Sequence, residues 1–434
     1  QNHESSDIPI MKSKKTMMLI ACFAMVAFSV FAAPKKVTFT FWHQGTAPND
    51  LKFFNECIAE FEAANPNVKI EVMVAENEAF KSKLATALQS KNPPDIFMGW
   101  GGGSLAEHAQ AKLLKDIGKE VKKDADLSSI SSGAQTLFQY NGKQYGVPYD
   151  LGAVTFWYNK DILAQVGYNS FPTDWDDFMV MCKKIKEAGY VPISIAAGDK
   201  WPAMHFLSYL ALRIGGKEVL AGFSADGAMP KGFKGFNDPA FIEAGKMLKE
   251  LCDMGMFQDE YLGSTQNDGA ALVGNGVAAM ELMGQWAPGV QAAQSESGKG
   301  IGSSLATAGF PAIKGKKGKA TEVIGGGNGF EVGKNAPKEA IEFLKFMMSK
   351  QKLSQFASAS SIIPTVAGTE SAMTDPNMVL VKKVVDESTF YQLYLDQFLS
   401  AAAGSALNDN VQAIMAGTKT PEKAMADVQA VYEE

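Results

Sequence analysis

Four tryptophans stand in glycine-rich or polar segments, and three of them follow predicted strands. Because α/β sheets bind ligands beyond the carboxyl ends of their strands, such indoles are placed for ligand contact. An aromatic face packs against the C–H groups of a pyranose, while nearby polar side chains hydrogen-bond its hydroxyls. A single tryptophan is as readily a core residue, but four in such segments favour a sugar-binding cleft. The segments are Trp42-His43-Gln44-Gly45, Trp100-Gly101-Gly102-Gly103-Ser104, Gly198-Asp199-Lys200-Trp201-Pro202 and Gly284-Gln285-Trp286-Ala287-Pro288.

Motifs of the common enzyme classes do not occur in the sequence. Gly318-Lys319 is followed by Ala320, so it is not a phosphate-binding loop, and neither a nucleophile elbow nor a dinucleotide fingerprint is found. His43, His108 and His205 lack the spacing of a metal site. The sequence therefore predicts no cofactor, no metal site and no enzymatic activity. One alternative stays open, namely a pair of catalytic carboxylates like that of a glycosidase.

Composition and charge narrow the class further. The 434 residues carry 41 Lys+Arg against 47 Asp+Glu, a formal net charge of −6, and 46% are hydrophobic. This composition is typical of globular proteins, and the length predicts two or three domains. A mildly acidic chain is a poor candidate for binding nucleic acid. With 4 cysteines, disulfides do not build the fold, and we expect Cys57, Cys182 and Cys252 to be buried thiols.

The elements that must position the tryptophans alternate between strand and helix. Val37–Trp42 and Val68–Val74 show period-two strand patterns, and Asp95–Met98 is a short apolar strand. Between them, one helix is capped by Asn49 or Asp50, and another covers Phe80–Gln89. The order strand–helix–strand–helix–strand predicts a parallel α/β sheet.

The same alternation returns later in the chain. It again combines apolar strands with amphipathic helices that have recognisable starts. We predict a strand-rich stretch over 145–158, a helix capped by Thr173, a strand over Val191–Ala196, a helix capped by Asp238, a strand over Val277–Met283, a helix over Pro337–Ser349, and helices from Tyr391 onward.

The amino-terminal segment is predicted to contain a targeting sequence for export. Residues 1–10 precede Met11 and are interpreted as a tag remnant or a start placed too far upstream. Residues 11–32 combine lysines, a short apolar run and a Val-Phe-Ala cleavage site, which is typical of a secretory signal peptide. An alternative stays open, because the residues before Cys22 also resemble a lipoprotein acylation site.

A series of short motifs resembles the extracellular solute-binding proteins of carbohydrate ABC importers, the group that includes maltose-binding protein. Each motif is weak alone, but their order along the whole mature chain is specific. They are Phe61-Glu62-Ala63-Ala64-Asn65-Pro66-Asn67-Val68, Pro94-Asp95-Ile96, Leu113-Leu114-Lys115-Asp116-Ile117, Asn141-Gly142-Lys143-Gln144-Tyr145-Gly146-Val147-Pro148, Tyr158-Asn159-Lys160-Asp161, Gly276-Val277-Ala278-Ala279-Met280 before Gly284-Gln285-Trp286, and 340–348.

The resemblance implies the two-lobe periplasmic-binding-protein fold of type II. Each lobe would be a mixed, mostly parallel sheet flanked by helices, with the ligand cleft between the lobes. Lobe 1 would comprise 34–150 and 311–352, and lobe 2 would comprise 151–310 and 353–434. The chain would cross between them near Tyr149 to Gly152, near Phe310, and after Lys350.

The resemblance also implies which residues contact the ligand. Where the family places a late aromatic, this chain has small residues near Gly404-Ser405, so Tyr394 or Asp396 would serve instead. The expected ligand-binding residues are Trp42, His43, Gln44, Trp100, Asp150, Asp199, Trp201, Trp286, Asn328 and Asp396.

The implied function is capture of a sugar or oligosaccharide by hinge closure and its delivery to a membrane ABC permease. The protein would be a periplasmic or otherwise extracytoplasmic monomer, without cofactor or nucleic acid. Two alternatives stay open: binding of another polar solute such as glycerol phosphate, and a secreted carbohydrate-active enzyme. The sole arginine, Arg213, lies in a helical stretch, which disfavours a phosphate site.

Overall fold

The computed structural model describes residues 35–225 and 227–434. Segment 1–10, the predicted signal peptide 11–32 and Cys22 lie outside these residues. In the described part of the chain, no helix has the length and apolarity needed to span a bilayer.

Strands and helices alternate along most of the chain. The strands are β1 (Val37–His43), β2 (Val68–Val74), β3 (Ile96–Gly99), β4 (Gln139–Tyr140), β5 (Lys143–Gln144), β6 (Gly146–Ala153), β7 (Thr155–Asn159), β8 (Val191–Ser194), β9 (Ala278–Met283), β10 (Leu305–Ala308), β11 (Glu322–Val332) and β12 (Phe390–Leu393). The α-helices are α1 (Pro48–Ala64), α2 (Asn77–Leu88), α3 (Gly102–Gln110), α4 (Gly118–Lys123), α5 (Ser132–Thr136), α6 (Lys160–Gln165), α7 (Trp175–Glu187), α8 (Trp201–Gly215), α9 (Pro239–Asp253), α10 (Gln266–Gly274), α11 (Ala287–Gln294), α12 (Lys338–Met347), α13 (Lys350–Ala359), α14 (Pro376–Asp386), α15 (Leu395–Phe398), α16 (Ala401–Met415) and α17 (Pro421–Tyr432).

The first sheet has the order β12–β11–β3–β1–β2, with β6 also paired to β11. β1 is parallel to β2 and β3, whereas β11 is antiparallel to β3 and β6. The period of two along β1 directs Phe39 and Phe41 inward, where they join one core cluster with α1 and α12. This cluster is the core of the first lobe.

The second sheet has the order β10–β7–β9–β8. It is mixed like the first, but only its β8–β9 pairing is parallel, and β7 runs antiparallel to both neighbours. The sequence expectation of a mostly parallel sheet therefore does not hold in the second lobe. Helices α7, α8, α9, α16 and α17 pack with this sheet in a second core cluster.

β6 and β11 form an antiparallel ribbon that joins the two lobes. Their pairing runs from Gly146 opposite Glu331 to Ala153 opposite Gly325. Val147 lies in the first core cluster, while Ile324 lies in the second. The crossing predicted at 149–152 falls within this ribbon.

Two stretches pack with a different lobe from the one predicted. Ala312 bridges to Asp174 of the second lobe, although 311–352 was assigned to the first. Phe356 and Val366 lie in the core of the first lobe, although 353 was the predicted start of a second-lobe segment. Since a lobe is defined by its core, we propose that this segment of lobe 1 begins within β11 and extends to Val366.

Several element boundaries also differ from the sequence predictions. α1 begins at Pro48 without a side-chain cap, because proline needs no partner for an amide hydrogen at that position. Asp174, not Thr173, caps α7 by accepting a hydrogen bond from the Asp177 amide at 3.1 Å. The segment from Phe390 first forms β12, which pairs with β11 before the helices begin.

The cysteines of the described residues are free thiols. Cys57 and Cys182 are buried, as predicted, and Cys252 is half-buried. Burial raises the pKa of Cys57 to about 12, because a thiolate is disfavoured away from water. Cys57 therefore behaves as a small apolar side chain in the core of the first lobe.

Candidate ligand-binding cleft

A cleft lies between the lobes beside the β6–β11 ribbon. It contains about 1070 Å³ of space between protein atoms, open solvent included. The first lobe contributes Gln44 and Trp100 to its walls, and Trp201 and Trp286 face them from the second lobe. The predicted ligand residues that line this cleft are Gln44, Trp100, Trp201, Trp286, Asn328 and Asp396.

The indoles reach the cleft from the ends of secondary-structure elements. Trp100 follows β3, and the chain then turns sharply into α3 at Gly101 and Gly102, whose φ angles are 72° and 61°. Residues with a Cβ rarely adopt such angles, which explains the glycines at this turn. Trp201 is the first residue of α8, and Trp286 lies between β9 and α11.

Four aromatic side chains of the second lobe form a continuous wall. The ring centroids of Trp201 and Trp286 are 6.2 Å apart, and those of Trp286 and Tyr394 are 6.0 Å apart. His205 lies 5.5 Å from Trp201 and 5.6 Å from Tyr394. Offset and edge contacts of this kind hold the rings in place for a ligand ring to pack against.

Buried polar atoms of this wall have no protein partner within the described structure. They are the indole nitrogen of Trp201, both ring nitrogens of His205 and the hydroxyl of Tyr394. Burial lowers the pKa of His205 to about 3, so the ring is neutral and offers one donor and one acceptor. Buried polar groups are usually paired, so these atoms are suited to hydrogen-bond the hydroxyls of a ligand.

Asp150 lies behind the cleft wall and does not line it, contrary to the prediction of a direct ligand contact. Its carboxylate is 1% exposed and accepts hydrogen bonds from the side chains of Gln285 and Asn328 and from the Ile363 amide at 2.8 Å. Burial raises its pKa to about 7, and the three hydrogen bonds act in the opposite direction. Because Asn328 does line the cleft, Asp150 positions a side chain of the cleft wall.

Trp42 and His43 are not among the residues that line the two cavities, so a ligand role for them stays a prediction. The alternation of β1 turns His43 into the core, between Phe41 at 5.0 Å and Phe54 at 4.5 Å. Burial lowers the pKa of His43 to about 4, and its Nδ1 accepts the Gly45 amide hydrogen. Trp42 points to the opposite face, where it is half-buried against the core of the first lobe.

A second cavity adjoins the first and contains about 1500 Å³ of space. The two share Lys81, Trp100, Trp201, Asp396 and Gln397. Asp199, predicted as a ligand residue, lines only this second cavity, where its carboxylate accepts the Gln266 amide hydrogen at 2.6 Å.

Asp396 lines both cavities and is held by neutral partners. Its carboxylate accepts hydrogen bonds from Asn408 at 3.0 Å and Gln397 at 3.2 Å. Burial raises the pKa of Asp199, which was also predicted to bind ligand and lines the second cavity. Neither forms an ion pair with a residue of the described chain, so both carboxylates are available to ligand hydroxyls.

Sequence reasoning missed several residues of the two cavities. The Lys81 ammonium lies 5.5 Å from the ring centroid of Trp100 and 5.9 Å from that of Trp201, so it spans the two lobes. His205 and Glu331 were also missed, because nothing in their local sequence distinguishes them from core residues. Among the described residues, no group of three or more His, Cys, Asp or Glu is arranged to hold a metal.

The described residues form two lobes with an open cleft between them. Residues 46–352 match the family model of bacterial extracellular solute-binding proteins. This match covers more than half of the chain, and the protein belongs to that family.

Individual relatives agree with this assignment. A multiple sugar-binding protein of Streptococcus mutans is 22% identical over 90% of this chain and 92% of its own length. An uncharacterized ABC transporter extracellular-binding protein of Pyrococcus horikoshii is 26% identical over 57% of this chain and 55% of its own length. The chain spans about half the length of the first curated relatives that it matches.

Solved structures show the same fold. One from work on xylan utilization by the thermophilic bacterium Caldanaerobius polysaccharolyticus has a TM-score of 0.81 and 26% identity, covering 91% of this chain and 99% of the other. A chitin oligosaccharide binding protein has a TM-score of 0.82 and 23% identity, covering 92% and 98%. The second similarity concerns the fold alone.

Proposed function

We propose that the protein captures a sugar or oligosaccharide in the cleft and delivers it to a membrane ABC permease. The observation that carries this proposal is that indoles of both lobes, Trp100 from one and Trp201 and Trp286 from the other, line one cleft. A ligand held by both lobes favours the closed arrangement, since it gains contacts there that the open arrangement lacks. The sugar-binding relative from Streptococcus mutans supports the same ligand class.

The charges around the cavities favour an uncharged ligand. Asp199 and Asp396 form no ion pair among the described residues, although the charge of Lys81 acts on Asp199. Lys81 is itself paired with Glu78 at 2.9 Å. A solute such as glycerol phosphate would bring its anion close to these carboxylates, which is unfavourable. The hydroxyls of a neutral sugar instead donate to the carboxylates.

The proposed activity is binding without chemical turnover. The family to which the chain belongs consists of extracellular solute-binding proteins, so we place this protein outside the cytoplasm. We also propose that it acts as a monomer. The closed lobes would present the permease with a surface that the open form lacks. A carbohydrate-active enzyme would instead release shorter products from an oligosaccharide, which chromatography of the ligand after incubation distinguishes.

Isothermal titration with neutral mono- and oligosaccharides tests the proposal in the wild type and the Trp286→Ala variant. Removing a central indole typically weakens binding by 2 kcal/mol or more, which corresponds to roughly 30-fold. Trp175→Phe is the control, because Trp175 stacks on Phe310 in the core of the second lobe. Unchanged sugar affinity in Trp286→Ala, or no binding of any sugar by the wild type, would contradict the proposal.

A further inference from the structure

We propose that the second cavity binds a second sugar ring, and that His108 recognises this ring. The inference rests on the proposed function and extends its ligand from one ring to two linked rings. The two cavities are adjacent, since Trp100, Trp201 and Asp396 contribute to the walls of both. A ring stacked in the first cavity therefore has a neighbouring space for the next unit of the same chain.

Of the two ring nitrogens of His108, one is hydrogen-bonded to the protein and the other has no protein partner among the described residues. Its Nδ1 lies 3.0 Å from the Glu331 carboxylate, which is 1% exposed. The imidazole also packs edge-on against Phe97 at 6.1 Å, and its side chain is 22% exposed where it lines the second cavity. Nε2 has no hydrogen-bond partner in the described part of the chain, so it is the nitrogen available to a ligand.

The position of Glu331 depends on Gly99. Both residues line the second cavity, and a Cβ at position 99 would overlap the Glu331 carboxylate. The glycine thus leaves the space in which Glu331 can reach His108. A buried carboxylate that fixes one nitrogen of an imidazole orients the other, as in the outer shells of many binding sites.

The Glu331 carboxylate also shifts the pKa of the His108 imidazole. Burial lowers the pKa of His108, but the charge and hydrogen bond of Glu331, together with Glu107, outweigh burial and raise it above its usual value. With Nδ1–H directed at Glu331, Nε2 is the nitrogen that meets a sugar hydroxyl, which donates to the neutral ring and accepts from the protonated ring. The other ionisable groups lining the cavity are Glu78, Lys81, Asp199, Lys200, Asp396 and Asp409.

Two substitutions separate the two nitrogens of His108. Asparagine places its amide near the Nδ1 position, so His108→Asn keeps a partner for Glu331 and removes Nε2. Glutamine reaches the Nε2 position, so His108→Gln keeps a donor in the cavity. This pair distinguishes ligand recognition from a purely structural role, because a loss confined to asparagine depends on the cavity donor.

Titration calorimetry is carried out with three probe pairs: N-acetylglucosamine and diacetylchitobiose, xylose and xylobiose, and glucose and maltose. For the pair that the wild type binds, we expect His108→Asn to lower the affinity for the disaccharide about tenfold. The affinity for the monosaccharide should fall less than twofold. His108→Gln should recover most of the disaccharide affinity. Thermal unfolding of each variant confirms that it is folded.

Two outcomes overturn the inference alone: equal weakening of both sugars by His108→Asn, or no weakening of either. Wild-type affinity no higher for the disaccharide than for the monosaccharide also overturns it. These results differ from failure of the proposed function, in which the wild type binds none of the six probes or Trp286→Ala leaves the affinity unchanged.

Discussion

Asp150 joins the two lobes and the ribbon between them, and its substitution by asparagine gives a pH-dependent prediction. The carboxylate accepts from Gln285 of the second lobe, from Asn328 of the ribbon and from the Ile363 amide. Asparagine has one acceptor oxygen in place of two. At least one of the three donors then faces an amide NH₂, and a buried donor without an acceptor costs about 1–3 kcal/mol.

The wild-type Asp150 carboxyl group makes a contribution to the free energy of unfolding that depends on pH. Burial raises its pKa from 3.8 to about 7, so the folded state binds the proton more tightly than the unfolded state between these values. Stability from this group is therefore fully present below pH 3.8 and is lost as the pH rises to about 7. At about 1.36 kcal/mol per pH unit, the loss approaches roughly 4 kcal/mol.

Asp150→Asn lacks this titration. Near pH 4 the folded wild type carries a protonated Asp150 carboxyl group, whose hydroxyl oxygen keeps lone pairs that an amide NH₂ lacks. We therefore expect the variant to be less stable there by at most about 1–3 kcal/mol. As the pH rises to 8 the difference should shrink and then reverse, because only the wild type carries the titration of Asp150. Glu281, whose pKa burial also raises to about 7, is present in both proteins and cancels in the comparison.

Urea unfolding, followed by tryptophan fluorescence at half-unit steps from pH 4 to 8, measures the difference in free energy of unfolding. Asp259→Asn is the control, since Asp259 is exposed and its substitution should leave the pH profile unchanged. A difference between wild type and Asp150→Asn that is constant across this range would refute the reasoning. So would a wild type that gains stability relative to the variant as the pH rises.

Two further substitutions test how the lobes are built. The buried Arg213 donates hydrogen bonds to backbone carbonyls, among them that of Phe310. Lysine has fewer donors, so Arg213→Lys should lower the free energy of unfolding by about 2–4 kcal/mol, as measured by urea titration. Gly99→Ala should displace the Glu331 carboxylate and thereby lower the pKa of His108. NMR titration of the imidazole measures this pKa, and an unchanged value would contradict the proposed role of the glycine.

The sequence predicted most of the elements that position the cleft. Period-two alternation identified β1 and β2, and Asp238 caps α9 as expected, accepting the Ala240 amide hydrogen at 2.9 Å. The indoles Trp100, Trp201 and Trp286 were recognisable because each stands among glycines and polar residues. Local patterns of this kind survive folding, since they reflect which backbone geometry a segment can adopt.

The remaining site residues depend on contacts that no local pattern contains. Whether Trp42 or His43 faces the cleft depends on which face of β1 the core covers, which the alternation of the strand alone does not determine. Asp150 is at the predicted crossing, but its partners come from three distant segments that occupy its oxygens. Glu331 and His108 are 223 residues apart in the sequence, and only the pairing of β11 with β3 brings them together.

The late position of β11 also sets the order in which the protein can fold. The first lobe places β11 between β3 and β12, yet this strand leaves the ribosome after the whole of the second sheet. Long-range pairing of this kind slows folding, because a large loop must close first. A nascent chain therefore lacks an inner strand of its first lobe for most of its synthesis, so this lobe completes its sheet only after β11 and β12 have emerged.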